Sequence, residues 1–236
     1  MNPSPAVFPA RSRRGKFVTF EGIEGSGKSL QLRLLGEQLT RSRIPFIATR
    51  EPGGTPFGRE VRAILLAEKG PGRVPEAELL LYLADRIQDL KEVVEPALRD
   101  GIHVLCDRYQ DATRAYQGAA RGISPSLLQV LAQSLQLRRP DLTLVFDLPV
   151  EVGLERARRR NSEENSSQGR FEAECLAFHR RVRRAYRRFA AEEPDRFRLI
   201  PADAPPEKVH DRVWRVTRTL WEAVPARPAV RGRSRG

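Results

Sequence analysis

The sequence predicts an α/β fold: one parallel sheet of five strands, doubly wound, with helices on both faces making three layers. Three observations lead there. Five short apolar runs show little polar–apolar alternation, as strands buried on both faces do. Longer segments with helical periodicity separate them, so strands and helices alternate along the chain. The length of 236 residues, with 40% apolar and 31% charged types, suits one large domain with a packed core.

In chain order, the strands are expected at residues 17–21, 46–49, 103–107, 142–147 and 197–201. After the first, Leu32, Leu35 and Leu39 share a helical face. Val61, Leu65 and Leu66 form the next apolar face. Leu79, Leu83, Ile87 and Leu90 form a third stripe, expected to end near Pro96. Ser124 and Pro125 are an N-cap and first-turn pair for the helix of Leu128, Leu131 and Leu135. Phe171, Cys175, Phe178, Val182 and Tyr186 predict a long late helix, and Val209, Val213, Val216 and Leu220 the last one. Residues 161–169, NSEENSSQG, read as a polar loop. Cys106 and Cys175 read as core residues, Trp214 and Trp221 as packing, and His103, His179 and His210 as scattered, forming no metal site.

The net charge is +12, with 42 Lys+Arg against 30 Asp+Glu, which calls for an anionic partner. The excess is uneven. Residues 1–16 and 225–236 carry +4 each and no acid, and both lack apolar periodicity. Residues 1–15 and 225–236 are therefore expected to be disordered basic tails around a domain at 16–224. Residues 151–188 hold eleven Arg and six Glu, leaving the rest of the domain near neutral. Weak, non-specific nucleic-acid contact through the tails fits this distribution better than a nucleic-acid-binding domain. No apolar run approaches the roughly 18 residues of a membrane span, and residues 1–16 lack a secretory signal's apolar centre. Two cysteines make no disulfide framework, so a cytoplasmic location is the default expectation.

Residues 22–29, Gly-Ile-Glu-Gly-Ser-Gly-Lys-Ser, fit G-x-x-x-x-G-K-[ST] between a strand and a helix. In that context Gly22, Ile23, Glu24, Gly25, Ser26 and Gly27 curl backbone N–H groups around phosphate oxygens. Lys28 reaches the β- and γ-phosphates and Ser29 holds Mg²⁺. A Gly-rich turn that merely precedes a helix is the bland alternative. A carboxylate beside a triphosphate costs Coulomb energy, so Glu24 is either solvated or serves a second ligand, such as a sugar hydroxyl.

Further motifs follow in order: TREPGGT at 49–55, LYLADR at 81–86, DRY at 107–109 with Thr113 and AYQG at 115–118, RPDLTLVFD at 139–147 and VGLERAR at 152–158. With residues 20–29 they resemble the bacterial thymidylate kinase family, from about residue 17 to residue 221. TREPGGT is highly specific alone; the others gain force from order and spacing. The resemblance implies a P-loop NTPase-type fold, phosphorylation of dTMP to dTDP by ATP with Mg²⁺ in dTTP biosynthesis, and a homodimer. It implies that Glu24 takes the ribose 3′-hydroxyl, Tyr82 stacks on thymine, Arg86 bonds the base and Arg108 holds the dTMP phosphate. Thr113, Tyr116 and Gln117 surround base and deoxyribose, with the tyrosine excluding a 2′-hydroxyl. Pro52, with a cis bond before it, lies at the acceptor site, and Asp107 joins Ser29 around the metal, partly through water.

A mobile lid is expected near 155–170, with Arg156, Arg158, Arg159 and Arg160 at its entry. Gly25 stands where some members carry a basic residue, so the cation for the transferred group should come from this lid. Arg156 and Arg160, one turn apart, are expected at ATP, with Arg160 as the finger; a solvated helix face is the bland alternative. Ala112 replaces a usual serine and Gly169 a usual aspartate, while Arg170 and Glu172 of that motif remain. Two other functions compete: a kinase for another nucleoside monophosphate, or a non-catalytic nucleotide-binding protein docking on nucleic acid through its tails. TREPGGT with DRY…AYQG disfavours the first, and intact Lys28, Ser29 and Arg108 the second.

Overall fold

A computed structural model describes residues 14–67, 73–163, 171 and 174–221. Residues 1–13 and 225–236 of the expected tails, and 164–170 of the expected lid with Gly169 and Arg170, lie outside the described residues, as does Glu172.

Strands β1 (Phe17–Gly22), β2 (Phe46–Arg50), β3 (His103–Asp107), β4 (Leu142–Asp147) and β5 (Phe197–Pro201) form one sheet in the order β2-β3-β1-β4-β5. Every pairing is parallel. The three central strands are buried almost throughout, while the edge strands β2 and β5 are partly exposed, because each has a single neighbour. Alternate side chains feed two cores. Val18, Phe20 and Leu105 face one with Leu35, Val182 and Val213. Phe17, Val104 and Cys106 face the other with Leu90, Val94 and Tyr109.

The helices are α1 (Lys28–Arg41), α2 (Pro56–Leu66), α3 (Pro75–Asp89), α4 (Glu95–Arg99), α5 (Gln110–Thr113), α6 (Pro125–Ser134), α7 (Val150–Glu163), α8 (Leu176–Glu192) and α9 (Pro206–Trp221). α3 does not stop near Pro96. A π-helical turn at Leu90–Val94 carries it into α4, whose first turn accepts the proline. A second π-helical turn, Arg114–Ala120, extends α5.

Three further local expectations are corrected. Phe171 lies in a turn, and Cys175 is the exposed N-cap of α8, so neither belongs to that helix's buried stripe. The Ser124 hydroxyl pairs with Ser126 Oγ at 2.6 Å instead of capping α6. Gly15, assigned to the tail by composition, is tied to the domain by its N–H to Leu98 O at 2.9 Å. Cys106 and Trp221 are buried, as expected.

β1 is central, and the chain leaves it toward β2 and β3 on one side and β4 on the other. A crevice at the carboxyl ends of β1, β3 and β4 is where such a sheet takes ligands.

Candidate active site

β1 ends at Gly22, and residues 23–27 turn into the N-terminus of α1. Gly25 and Gly27 have φ of +67° and +89°, left-handed values that glycine adopts without strain. Lys28 Nζ donates to Ile23 O at 2.7 Å and to Ser26 Oγ at 3.3 Å. Burial, and then Arg108, push the Lys28 ammonium down to about 8. Ser29 Oγ donates to Asp107 Oδ2 from the end of β3, so a hydroxyl and a carboxylate meet beside the loop.

Glu24 is the centre of the next cluster. Its carboxylate accepts from Arg108 NH2 at 2.7 Å and from the Tyr116 hydroxyl at 2.8 Å to each oxygen. His179 Nδ1 lies 3.4 Å from Glu24 Oε2. Burial alone would raise this acid, but Arg108, helped by His179 and Lys28, holds it well below the usual carboxylate range. Arg108 has φ of +70°, donates also to Gly22 O at 3.2 Å, and sits 5.0 Å from the Tyr116 ring centroid.

The start of α5 is held from below. Buried Glu21 accepts from Tyr109 N at 2.8 Å, Ala112 N at 3.2 Å and Tyr186 Oη at 2.7 Å. Burial, with Asp111 adding, pushes Glu21 up to about 7.

On the far wall Arg86 of α3 is buried. It donates to Glu51 Oε2 at 2.7 Å and to Thr113 Oγ1 at 2.9 Å, 5.2 Å from the Tyr109 ring centroid. Gln117 Nε2 donates to Glu78 Oε1 at 2.8 Å. The Glu51–Pro52 peptide is cis. Lys28, Ser29, Glu24, Pro52, Tyr82, Arg86, Asp107, Arg108, Thr113, Tyr116, Gln117 and Arg160 all line one cavity of about 700 Å³.

A thymidylate kinase family profile matches residues 20–213. The chain is 50% identical over 215 residues to the thymidylate kinase of Nitratidesulfovibrio vulgaris, covering 90% of this chain and 100% of that one. It is 47% identical over 212 residues to that of Rhodopseudomonas palustris strain TIE-1, covering 88% and 90%. The chain belongs to the thymidylate kinase family. The crystal structure of thymidylate kinase from Ehrlichia chaffeensis superimposes with a TM-score of 0.69 at 31% identity, over 86% of this chain and 98% of that one. The family's reaction is phosphorylation of dTMP with ATP as donor, a transferase step of nucleotide biosynthesis. No helix among the described residues is long and apolar enough to cross a membrane.

Of the charged residues expected to contact ATP or dTMP, Arg156 is turned elsewhere. It donates to Ala202 O at 3.2 Å and lies 3.6 Å from Asp203 Oδ1, on the β5–α9 loop rather than in the cavity wall. One turn on, Arg160 does line the cavity. Gly22, Ile23, Ser26 and Gly27 are not among the residues lining it, though the Gly22 and Ile23 carbonyls accept from Arg108 and Lys28. Sequence reasoning passed over Arg50, Glu51 and Arg62 in or near the cavity, and His179 behind Glu24. Arg50 and Glu51 lie inside TREPGGT. His179 was visible as a polar residue beside Phe178 on the apolar stripe of α8.

Proposed function

We propose that this chain carries the γ-phosphoryl group of ATP to dTMP across this cavity, with a division of labour among its own residues. The observation that supports it best is one continuous cavity joining the donor loop of Lys28 and Ser29 to the acceptor set of Glu24, Tyr82, Arg86 and Arg108. Phosphoryl transfer needs positioning and positive charge more than covalent help. Lys28 serves the donor phosphates. Arg108 takes the acceptor phosphate, lowering its repulsion with the incoming group. Glu24, held ionised, accepts the 3′-hydroxyl. The Tyr116 ring occupies the space a 2′-hydroxyl would need. Arg86 and Thr113 face the base edge and Tyr82 its plane, and Arg160 closes on the transferred group.

Ser29 Oγ and Asp107, hard oxygen donors already in contact, fit Mg²⁺. They would hold it, partly through water, where it neutralises phosphate charge. A homodimer is supported by exposed Ile64, Leu80, Leu127 and Val130 on α2, α3 and α6, and by α6 burying none of its residues completely. A cytoplasmic location is supported by two unpaired cysteines.

A coupled assay with dTMP, dUMP, dGMP and dCMP in parallel, with and without Mg²⁺, tests the reading. The expected result is Mg²⁺-dependent turnover with the highest kcat/KM for dTMP. Another monophosphate outpacing dTMP refutes it.

A further inference from the structure

The TREPGGT turn has an explanation in α3. Asp85 and Asp89, one helical turn apart, are both fully buried. Asp85 Oδ1 accepts from Gly53 N at 2.9 Å, and Asp89 Oδ1 accepts from Thr49 Oγ1 at 2.8 Å. Between them, Arg86 reaches Glu51 Oε2 at 2.7 Å. Three alternate positions of the turn, Thr49, Glu51 and Gly53, are thus held by one helix.

Two glycines make the approach possible. A Cβ on Gly54 would lie 2.2 Å from Asp89 Oδ1 and 2.2 Å from Thr49 Oγ1, and one on Gly58 would lie 2.2 Å from Asp85 Oδ1. From the other side, Arg62 of α2 donates to Pro52 O at 3.1 Å. α3 also carries Tyr82 and Arg86 into the cavity, and the 49–54 turn carries Pro52 and Arg50 into it.

We propose that Asp85 and Asp89 are positioning residues that clasp the 49–54 turn to α3, so that the two walls of the acceptor site form one rigid unit. The proposal rests on reading these walls as the dTMP side. The carboxylates touch no substrate; they act through Gly53, Thr49 and the backbone between. Releasing the clasp moves Pro52 and Arg50 relative to Tyr82 and Arg86, while Lys28 and Ser29, on α1, keep their places. The effect should therefore fall on the acceptor alone.

The test compares Asp85→Ala, Asp89→Ala, Asp85→Asn and Asp89→Asn in the full chain, measuring KM for dTMP, KM for ATP and kcat. Asn keeps an acceptor oxygen at Oδ1, so it keeps the clasp. Loss of either bond in the Ala variants should raise KM for dTMP by about tenfold. KM for ATP should stay unchanged, and each Asn variant should recover the parent value. Thr49→Val removes the Asp89 bond from the turn's side and serves if the Ala variants do not fold; the same selective rise is expected. A rise in both KM values together, or an unchanged KM for dTMP in Thr49→Val, overturns the proposal. If instead the parent protein does not prefer dTMP, the reading of the walls fails, independently of the clasp.

Discussion

Gly25→Ala adds one methyl group, and its effect can be worked from geometry. At φ +67° any Cβ is strained, costing about 1–2 kcal/mol. The new carbon would also lie 1.9 Å from Gly153 O and 3.0 Å from Ala157 N, both backbone atoms of α7. A side-chain rotation cannot relieve that contact, so α7 must back away. Overpacking of this kind adds about 1–3 kcal/mol. Gly27→Ala is the internal control. It has φ +89° but nothing within 4 Å of its Cβ, so it carries the backbone cost alone. With about 2–4 °C of Tm per kcal/mol for a chain of this size, Gly27→Ala should lose about 2–8 °C and Gly25→Ala about 4–20 °C. Thermal unfolding by circular dichroism without nucleotide reads this difference. Below the transition, Gly25→Ala should also lose about a hundredfold in kcat, since an ångström's retreat of α7 carries Arg160 with it. Equal Tm losses in the two variants would refute the claim that the phosphate loop and α7 interlock through Gly25.

Arg160→Ala should lower kcat by about a thousandfold or more while leaving KM for dTMP unchanged. Its side chain is exposed, so Tm should move by less than about 0.5 kcal/mol allows, and a kcat equal to the parent's moves the finger to another arginine. Glu21 gives a pH signature. Its folded pKa is raised from 4.5 to about 7, so its contribution to stability is complete below 4.5 and is lost as pH rises through about 7. Glu21→Gln cannot ionise, so its Tm relative to the parent should climb across that window; a pH-independent difference would contradict it.

The strands were legible because burial on both faces leaves a plain signal, a mostly apolar run without regular alternation such as residues 142–146, interrupted only by Thr143. The phosphate loop was legible because its glycines and Lys28 are adjacent in sequence. What was hidden depends on distant meetings. Asp85 and Asp89 are ordinary polar residues on α3 until the fold brings them to atoms 32 and 40 residues earlier. Arg156 and Arg160 share a helical face by spacing, yet the β5–α9 loop takes the first and the cavity wall the second. Phe171 extended the apolar stripe of α8 by spacing, but it packs from a turn, edge-on to Tyr116 at 5.5 Å. Periodicity reports which residues seek the core, not whether a helix delivers them.

Four polar groups of the site, Lys28, Ser29, Arg86 and Arg108, share a property that bears on specificity. Each already has an internal partner: Lys28 the Ile23 carbonyl, Arg108 Glu24 and the Gly22 carbonyl, Ser29 Asp107, and Arg86 Glu51. A ligand therefore exchanges partners here rather than meeting bare charge. An anion arriving at Arg108 competes with Glu24, and a ligand that gives Glu24 nothing in return leaves a buried carboxylate short of a donor, a loss of about 1–3 kcal/mol. A nucleotide that brings a phosphate to Arg108 and a sugar hydroxyl to Glu24 restores both sides of the exchange. Free phosphate restores only one. On the proposed reading of Glu24 and Arg108, the P-loop acid, unfavourable beside a triphosphate, makes the acceptor half selective for an anion joined to a hydroxyl at the right distance, which a nucleoside monophosphate supplies.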